Sequence, residues 1–150
     1  MASVFDVAVY ILDKVSSCTH MKLQKLVYYS QAWSLVWDEQ PLFDEPVEAW
    51  ANGPVVPPLY QALKGSFKVT REDLGDKGNA EALNETARET VDAVVDYYAR
   101  HDSWYLSELT HMESPWKDAR RGLSPGERGS TVITQSAMAE YYGSLTPDNA

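Results

Sequence analysis

The sequence predicts a mainly α-helical fold, a compact single-domain bundle of about six helices with a small β-hairpin or extended turn at about residues 40–56. Apolar residues recur at helical spacing in several separate segments, and most of these segments begin just after a residue that caps helices. The segment from 39 to 58 is instead rich in proline, which rules out a long helix there. The 150 residues suffice for one domain, and we expect a core over about residues 4–143 and a flexible C-terminal tail.

The first two helices are predicted from their N-caps. Ser3 and Asp6 have the spacing of a capping box, and apolar residues follow at helical spacing as far as Val15. Thr19 is a good N-cap for a second helix that runs to about Trp37. This second helix is apolar around most of its circumference, which is typical of a helix buried on more than one side. We therefore expect it to be the central helix.

Periodicity also divides the faces of the second helix. It assigns to the core Leu23, Leu26, Val27 and Trp33. It leaves as an exposed polar strip Lys22, Gln24 and Gln31. On this interpretation, the basic and aromatic appearance of the helix reflects a scaffold rather than a nucleic-acid surface.

Turn residues organise the middle of the chain. A weakly alternating strand pattern precedes Asn52-Gly53-Pro54, which is a turn signal because Gly accepts a positive φ and Pro fixes its own. The prolines at 57–58 can begin a short helix that ends at Leu63. Residues 64–79 are polar and carry three glycines, so we expect a flexible region there, with residues 70–73 capping a single turn.

A long amphipathic helix is predicted from Ala80 to His101. Its apolar stripe consists of Leu83, Ala87, Val91, Val94 and Tyr98. Its opposite face is mostly acidic and carries Glu81, Glu85, Arg88, Glu89, Asp92, Asp96 and Arg100. Such a face would complement a basic surface on a partner.

Three shorter helices complete the predicted fold. We expect them at residues 103–111, 114–122 and 135–142, with Ser103 and Thr134 as the N-caps of the first and the last. A glycine-rich loop separates the last two helices.

Composition and charge limit the class of partner. The formal net charge is −9, from 22 acidic and 13 basic residues, whereas nucleic-acid binding depends on clustered Lys and Arg. Nucleic acid is therefore not favoured as a partner, and the acidic surface fits either a basic protein or simple solubility. Because no apolar run approaches the length of a membrane span and the N-terminus does not resemble a signal peptide, we expect a cytoplasmic protein with no membrane partner.

Catalytic and metal sites are not indicated. The thiol and the imidazoles belong to Cys18, His20, His101 and His111, which lack the spacing of metal ligands or of a Cys–His nucleophilic pair. The sequence therefore predicts no metal site, no cofactor and no enzymatic activity. A DNA-binding regulator is an alternative, because residues 134–142 resemble the polar start of a recognition helix.

Three motifs together resemble one known family. K-L-Q-K-L-x-Y-Y occurs at residues 22–29, A-W-x-x-G-P-V at 49–55, and L-T-H-x-x-x-P-W at 109–116. In this order and spacing they resemble the Panacea domain, also called the SocA-like antitoxin domain, over about residues 4–143. The motif residues that we expect to specify the scaffold are Lys22, Leu23, Gln24, Lys25, Leu26, Tyr28, Tyr29, Trp33, Gly53, Pro54, Thr110, His111, Pro115 and Trp116.

The resemblance implies an antitoxin in a bacterial, phage or prophage toxin–antitoxin pair. Members of the family neutralise very different protein toxins, including alarmone-synthetase-like enzymes that block translation. The implied partner is a cognate toxin encoded by the adjacent gene, with delivery of the toxin to a protease and DNA-binding autoregulation as alternatives. A second copy of the chain is a further candidate partner.

Candidate toxin-binding residues come from two places in the sequence. We expect aromatic anchors near the turn and charge on the acidic helix, that is, Trp50, Asn52, Val55, Tyr60, Glu85, Glu89 and Asp92. The loops at 64–79 and 122–131 carry no family motif, and we expect them to hold features particular to one toxin.

Overall fold

This computed structural model describes residues 2–145 of the chain. These residues contain seven α-helices and five short strands. The helices are α1 Val4–Val15, α2 His20–Trp37, α3 Pro57–Leu63, α4 Glu85–Tyr98, α5 Ser103–His111, α6 Ser114–Ala119 and α7 Gln135–Gly143. The strands are β1 Ser17–Thr19, β2 Val47–Trp50, β3 Gly53–Val55, β4 Lys68–Thr70 and β5 Val132–Ile133, and 3-10 helices lie at Arg71–Leu74 and Ala80–Ala82. The predicted mainly α-helical fold with a small hairpin is confirmed. Most of the predicted C-terminal tail, residues 146–150, lies outside the described residues.

Two small antiparallel sheets connect the loops to the helices. Strand β2 lies between β3 and β5, with Trp50 opposite Gly53 and Val47 opposite Ile133. Strand β1 pairs with β4. The turn signal predicts the β2–β3 hairpin, but the sequence does not predict the β1–β4 pair, because strands of three residues are too short to show a period.

Helix α2 lies at the centre of the bundle, as predicted. It packs against α1, α4, α5 and α7 and against β3. Most of its residues are buried, including Leu23, Leu26 and Val27. None of the described helices combines the length and the apolar composition needed to cross a membrane.

N-caps set the first residues of the helices. Ser3 and Asp6 form the predicted capping box, in which Asp6 Oδ2 accepts from Ser3 N–H at 2.8 Å and Ser3 Oγ accepts from Asp6 N–H at 3.3 Å. Thr19 and Thr134 cap α2 and α7 by accepting from the N–H three residues further on, at 3.1 and 3.0 Å. These caps are local in sequence, and so the starts of three helices follow from the sequence alone.

Three of the predicted helices have other boundaries in the structure. The helix predicted over residues 80–101 is a 3-10 turn followed by α4, because Asn84 starts a new helix by accepting from the N–H three residues further on at 2.8 Å, and α4 ends at Tyr98 rather than at His101. Helix α5 is capped by Asp102 rather than by Ser103. Helix α6 ends at Ala119 instead of near residue 122.

Residues 64–79, predicted as a flexible region, contain β4 and a 3-10 helix. Thr70 and Asp73 form the predicted capping box of the single turn. Val69 and Leu74 are buried in the core, on either side of this cap. The segment is therefore anchored to the bundle by two apolar side chains.

The prediction that Gln24 and Gln31 are exposed is wrong, since both side chains are fully buried. Gln31 Oε1 accepts from Leu42 N–H at 2.7 Å, and Gln31 Nε2 donates to Phe43 O at 2.9 Å. Gln24 Oε1 accepts from Val56 N–H at 3.0 Å. Periodicity assigns glutamine to the surface, but here the two amides satisfy loop backbone that has lost contact with water. Helix α2 thereby holds both ends of the proline-rich segment.

A buried tyrosine cluster joins α2 to the C-terminal helices. Glu113 Oε1 accepts from Tyr29 OH at 2.8 Å and from Tyr142 OH at 2.7 Å, and Tyr28 OH lies 3.0 Å from Tyr142 OH. Burial raises the pKa of Glu113 and holds the pKa values of these tyrosines well above their usual range. Trp33, predicted to lie in the core, is half-buried at its edge.

Replacing Gln31 with leucine should destabilise the fold by about 2–4 kcal/mol, because Leu42 N–H and Phe43 O would stay buried without their partner. The measurement is urea unfolding, in which the midpoint should fall at constant m-value. Gln61→Leu, on the exposed side of α3, is the matched control and should change stability by less than about 0.5 kcal/mol. Equal midpoints for Gln31→Leu and the wild type would contradict the structural role of this amide.

Candidate partner-binding groove

The three sequence motifs converge on the turn between β2 and β3. Gly53 has a φ of +124°, and a Cβ atom at this position would clash with Lys25 Cε and lie 3.1 Å from Thr110 Oγ1. Glycine is needed here both for the backbone conformation and for the close approach of α2 and α5. Because Lys25, Gly53 and Thr110 come from three different motifs, the motifs meet at one point in space.

Hydrogen bonds from α5 and α6 hold the backbone of this turn. Ser107 Oγ donates to Asn52 O at 2.5 Å, and Trp116 Nε1 donates to Trp50 O at 2.8 Å. His111 stacks on Trp116 with 4.0 Å between ring centroids. These bonds use backbone carbonyl oxygens and leave the side chain of Asn52 without a role in them. That side chain is exposed to solvent.

Lys25 is fully buried, and its Nζ has no hydrogen-bond partner among the described residues. Burial lowers the pKa of Lys25 from 10.5 to about 7. Burial also lowers the pKa values of His20 and His111, and the charge of Lys25 lowers them further. The fold therefore favours the neutral amine of Lys25 as the pH rises above neutrality.

Four of the residues predicted to bind a partner line one cleft of about 570 Å³. The cleft is lined by Trp50, Asn52, Val55 and Tyr60 together with Met21, Ala51 and Arg128–Ser130. The rings of Trp50 and Tyr60 meet edge to face at 4.8 Å. Val55 is buried in the wall, whereas Asn52 is exposed at the rim.

A second cleft of about 340 Å³ adjoins the first one. It shares Met21 and Tyr60 with the first cleft and extends to Phe67 and Ser103. We name the two clefts together the hairpin groove. Its principal residues are Met21, Trp50, Asn52, Val55, Tyr60, Phe67 and Arg128.

Arg120 fixes the loop that forms one wall of the hairpin groove. Its guanidinium is buried and donates to Ala49 O at 3.1 Å and to Glu127 O. Gly129 packs so closely on this guanidinium that a Cβ atom there would lie 3.0 Å from Arg120 Nη1. The loop that carries Arg128 is thereby held against strand β2.

The acidic residues predicted to bind a partner lie apart from the groove, on α4. Glu85 and Glu89 are exposed. Asp92 is instead engaged within the chain, because its Oδ1 accepts from Tyr10 OH at 2.7 Å and lies 3.0 Å from Lys14 Nζ. Burial and the hydrogen bond to Asp92 raise the pKa of Tyr10 to about 12. Asp92 therefore connects α1 to α4, and the exposed charge of this set belongs to the two glutamates.

The residues considered for catalysis and DNA binding are placed unfavourably for both. Burial raises the pKa of the Cys18 thiol to about 11, the reverse of an activated nucleophile, and His20 stacks on Tyr60. Among residues 2–145, no group of three or more His, Cys, Asp or Glu side chains is arranged to hold a metal ion.

Helix α7 buries Met138 and Tyr142 and contains neither Lys nor Arg, so it offers no cationic face to DNA.

The sequence singles out the loop at 122–131 as specific to one toxin, but it does not predict that residues 128–130 of this loop, or Met21, line the same cleft as Trp50. Residues 128–130 reach Trp50 only because β5 and Arg120 bring the C-terminal loop back to the hairpin. The glycine-rich composition of this segment predicts a loop, but it carries no signal for the element that the loop contacts.

A family model described as antitoxin SocA-like, Panacea domain, matches residues 23–117. The match includes the hairpin and Tyr60 but ends before the loop that carries Arg128. Comparisons with curated proteins and with solved structures find no match.

Replacing Lys25 with methionine should change how stability depends on pH. The folded chain holds the pKa of Lys25 at about 7 and the usual value is 10.5, so the unfolded state binds more protons between these values. Wild-type stability should therefore rise by about 2–3 kcal/mol from about pH 7 to about pH 9. Lys25→Met removes the titrating group, so it should flatten this rise and stabilise the protein at neutral pH.

Urea unfolding at several pH values in this window provides the measurement. His20 and His111 have pKa values below the window in both states, since the usual value of 6.5 is lowered on folding, and unfolded Cys18, with a usual value of 9.0, begins to titrate only at its upper edge. Lys77→Met, at an exposed position, is the control and should keep the wild-type slope. A wild-type stability that stays level across the window would contradict a neutral Lys25.

Proposed function

Because the chain belongs to the family of SocA-like antitoxins with a Panacea domain, we propose that it neutralises a cognate protein toxin by binding it directly. The family match over residues 23–117 carries this proposal. The mode of action is non-enzymatic, and binding blocks the substrate site or the active conformation of the toxin. The partner is the product of the adjacent gene, acting in the cytoplasm. The family resemblance favours an alarmone-synthetase-like enzyme that blocks translation.

Two surfaces support direct binding. The hairpin groove offers Trp50 and Tyr60, whose residue types are enriched at binding hot spots, beside the exposed Asn52. Helix α4 offers Glu85 and Glu89, which would attract a basic surface. In this proposal charge speeds association, and the aromatic contacts slow dissociation.

The motif residues support the proposal in a different way. Lys25, Gly53 and Thr110 are buried beneath the groove. We propose that they maintain the hairpin and do not contact the toxin. Surface side chains on this scaffold can then differ between family members, so that one fold serves unrelated toxins.

Co-expression with the adjacent gene tests the proposal. The adjacent gene product alone should arrest growth, and this chain should restore growth and copurify with that product. Trp50→Ala should weaken both effects, whereas Trp37→Ala, at an exposed tryptophan that does not line the groove, should not. Rescue without copurification would contradict direct binding, and rescue that requires a cellular protease would indicate delivery to that protease.

Reversing Glu85 and Glu89 to lysine should slow association with the toxin by about tenfold at low salt. The melting temperature should fall by only a few degrees, because Glu85 lies in the first turn of α4, where lysine opposes the helix dipole. Asp92 is kept, because it connects α1 to α4. Association rates at low and moderate ionic strength provide the measurement, and the salt dependence should become weaker. The charge-matched control is the double variant Glu72→Lys, Glu140→Lys, which changes two exposed acidic residues on other elements. Unchanged rates for the α4 variant would remove this helix from the steering surface.

A further inference from the structure

The hairpin groove extends well beyond the turn for which it is named. It runs from Arg128, past Trp50 and Tyr60, to Phe67 and Ser103. Its two clefts of about 570 and 340 Å³ adjoin at Met21 and Tyr60, which line both. A surface with two adjoining clefts suits an extended chain segment better than a compact small molecule.

The charge of the hairpin groove is opposite in sign to that of the whole chain. The described lining contains Arg128 and no carboxylate. Lys64 and Lys68 do not line the clefts themselves, but both are exposed close to Phe67 in sequence, Lys64 before it and Lys68 directly after it at the start of β4. In a chain with 22 acidic and 13 basic residues, this is a local concentration of positive charge.

The carboxylates that adjoin the groove in sequence already have partners within the chain. Glu48 Oε1 accepts from Trp50 Nε1 at 2.9 Å. Asp102 caps α5 through the N–H of Tyr105 at 2.8 Å. Glu127, which directly precedes Arg128, accepts from Ser124 N–H at 3.0 Å. Each of these three carboxylates thus accepts a hydrogen bond from a residue close to it in sequence, and no cation of the groove is the donor in these bonds.

A large aromatic side chain is exposed in the second cleft. Phe67 lines this cleft and is 82% exposed. Trp50 and Tyr60 line the first cleft, so these three aromatic rings lie in one groove. Exposed aromatic area in a groove is typical of an interaction site, because solvent exposure of apolar area is unfavourable.

We propose that the hairpin groove binds an extended acidic segment of the toxin in which aromatic or aliphatic residues alternate with carboxylates. The inference rests on the proposed function and adds the chemistry of the segment that is recognised. Lys64, Lys68 and Arg128 pair with the carboxylates. The aromatic side chains of Trp50, Tyr60 and Phe67 pack on the apolar residues between them.

The groove and the acidic face of α4 lie at different ends of α2. Thr90 of α4 donates to Asp38 Oδ2 at 2.6 Å, at the C-terminal end of α2, whereas Met21 of the groove lies at its N-terminal end. A helix of 18 residues spans about 27 Å. One toxin can therefore present a basic surface to α4 and an acidic segment to the groove.

Single-stranded nucleic acid also combines anionic groups with stacking rings. A peptide is favoured over it, because three spaced cations neutralise few phosphates and the net charge of −9 repels a continuous phosphate backbone. Tighter binding of nucleic acid than of peptides is therefore a result that would contradict the proposal.

The experiment uses the full chain and short overlapping peptides that cover the sequence of the adjacent gene product. The chain should capture peptides in which acidic and apolar residues alternate. The triple variant Lys64→Glu, Lys68→Glu, Arg128→Glu should bind them at least about tenfold more weakly. The control carries the same change of charge at exposed positions outside the groove, Lys77→Glu, Lys117→Glu and Arg121→Glu, and should bind like the wild type. Melting temperatures confirm that both variants are folded.

The outcomes separate this proposal from the proposed function. If the complex with the intact toxin forms but the chain captures basic peptides or none, the groove proposal is overturned and the antitoxin role stands. Equal binding by the triple variant, or tighter binding of oligothymidylate than of any peptide, overturns it as well. If the adjacent gene product is not toxic and forms no complex, the proposed function fails and the groove proposal fails with it.

Discussion

The structure depends on the way in which α2 buries polar side chains. Gln24, Lys25 and Gln31 all lie inside the bundle, where an unpaired polar group is costly. Two of them satisfy the backbone of the proline-rich segment, and the third lies against the turn at Gly53. The central helix therefore both fills the core and fixes the course of the segment that follows it. The position of the hairpin, and with it the groove, is a consequence of these contacts.

The elements that the sequence predicts are those that local interactions determine. Caps such as Ser3 and Thr19 act within three residues, and the turn at Gly53 needs only its own backbone. The prediction that Gln24 and Gln31 are exposed is wrong, because polarity alone assigns glutamine to the surface. The side-chain amide can also form the hydrogen bonds that the backbone of a distant loop would otherwise make with water. The aromatic residue types of Trp50 and Tyr60 make them candidate binding residues in the sequence, but it does not show that Arg128 lies in the same cleft, because Arg128 reaches them through β5, which has no sequence period of its own.

The hairpin groove combines residues inside and outside the region of the family match. Trp50, Asn52 and Tyr60 lie inside residues 23–117, while Met21 and Arg128 lie outside. The buried contacts beneath the groove, between Lys25, Gly53 and Thr110, lie wholly inside. The support beneath the groove thus lies within the matched region, whereas part of the rim lies outside it.

Arg120 clamps the loop beside the groove through carbonyl oxygens alone. Ala49 O, Ser124 O and Glu127 O accept from it, and every amino acid supplies such an oxygen. Apart from Gly129, where a Cβ atom would meet this guanidinium, the clamp places no demand on the identity of the loop residues. Substitutions at positions such as Arg128 can therefore accumulate while the loop keeps its shape. The side chains at the rim can therefore change in evolution without a loss of the fold that supports them.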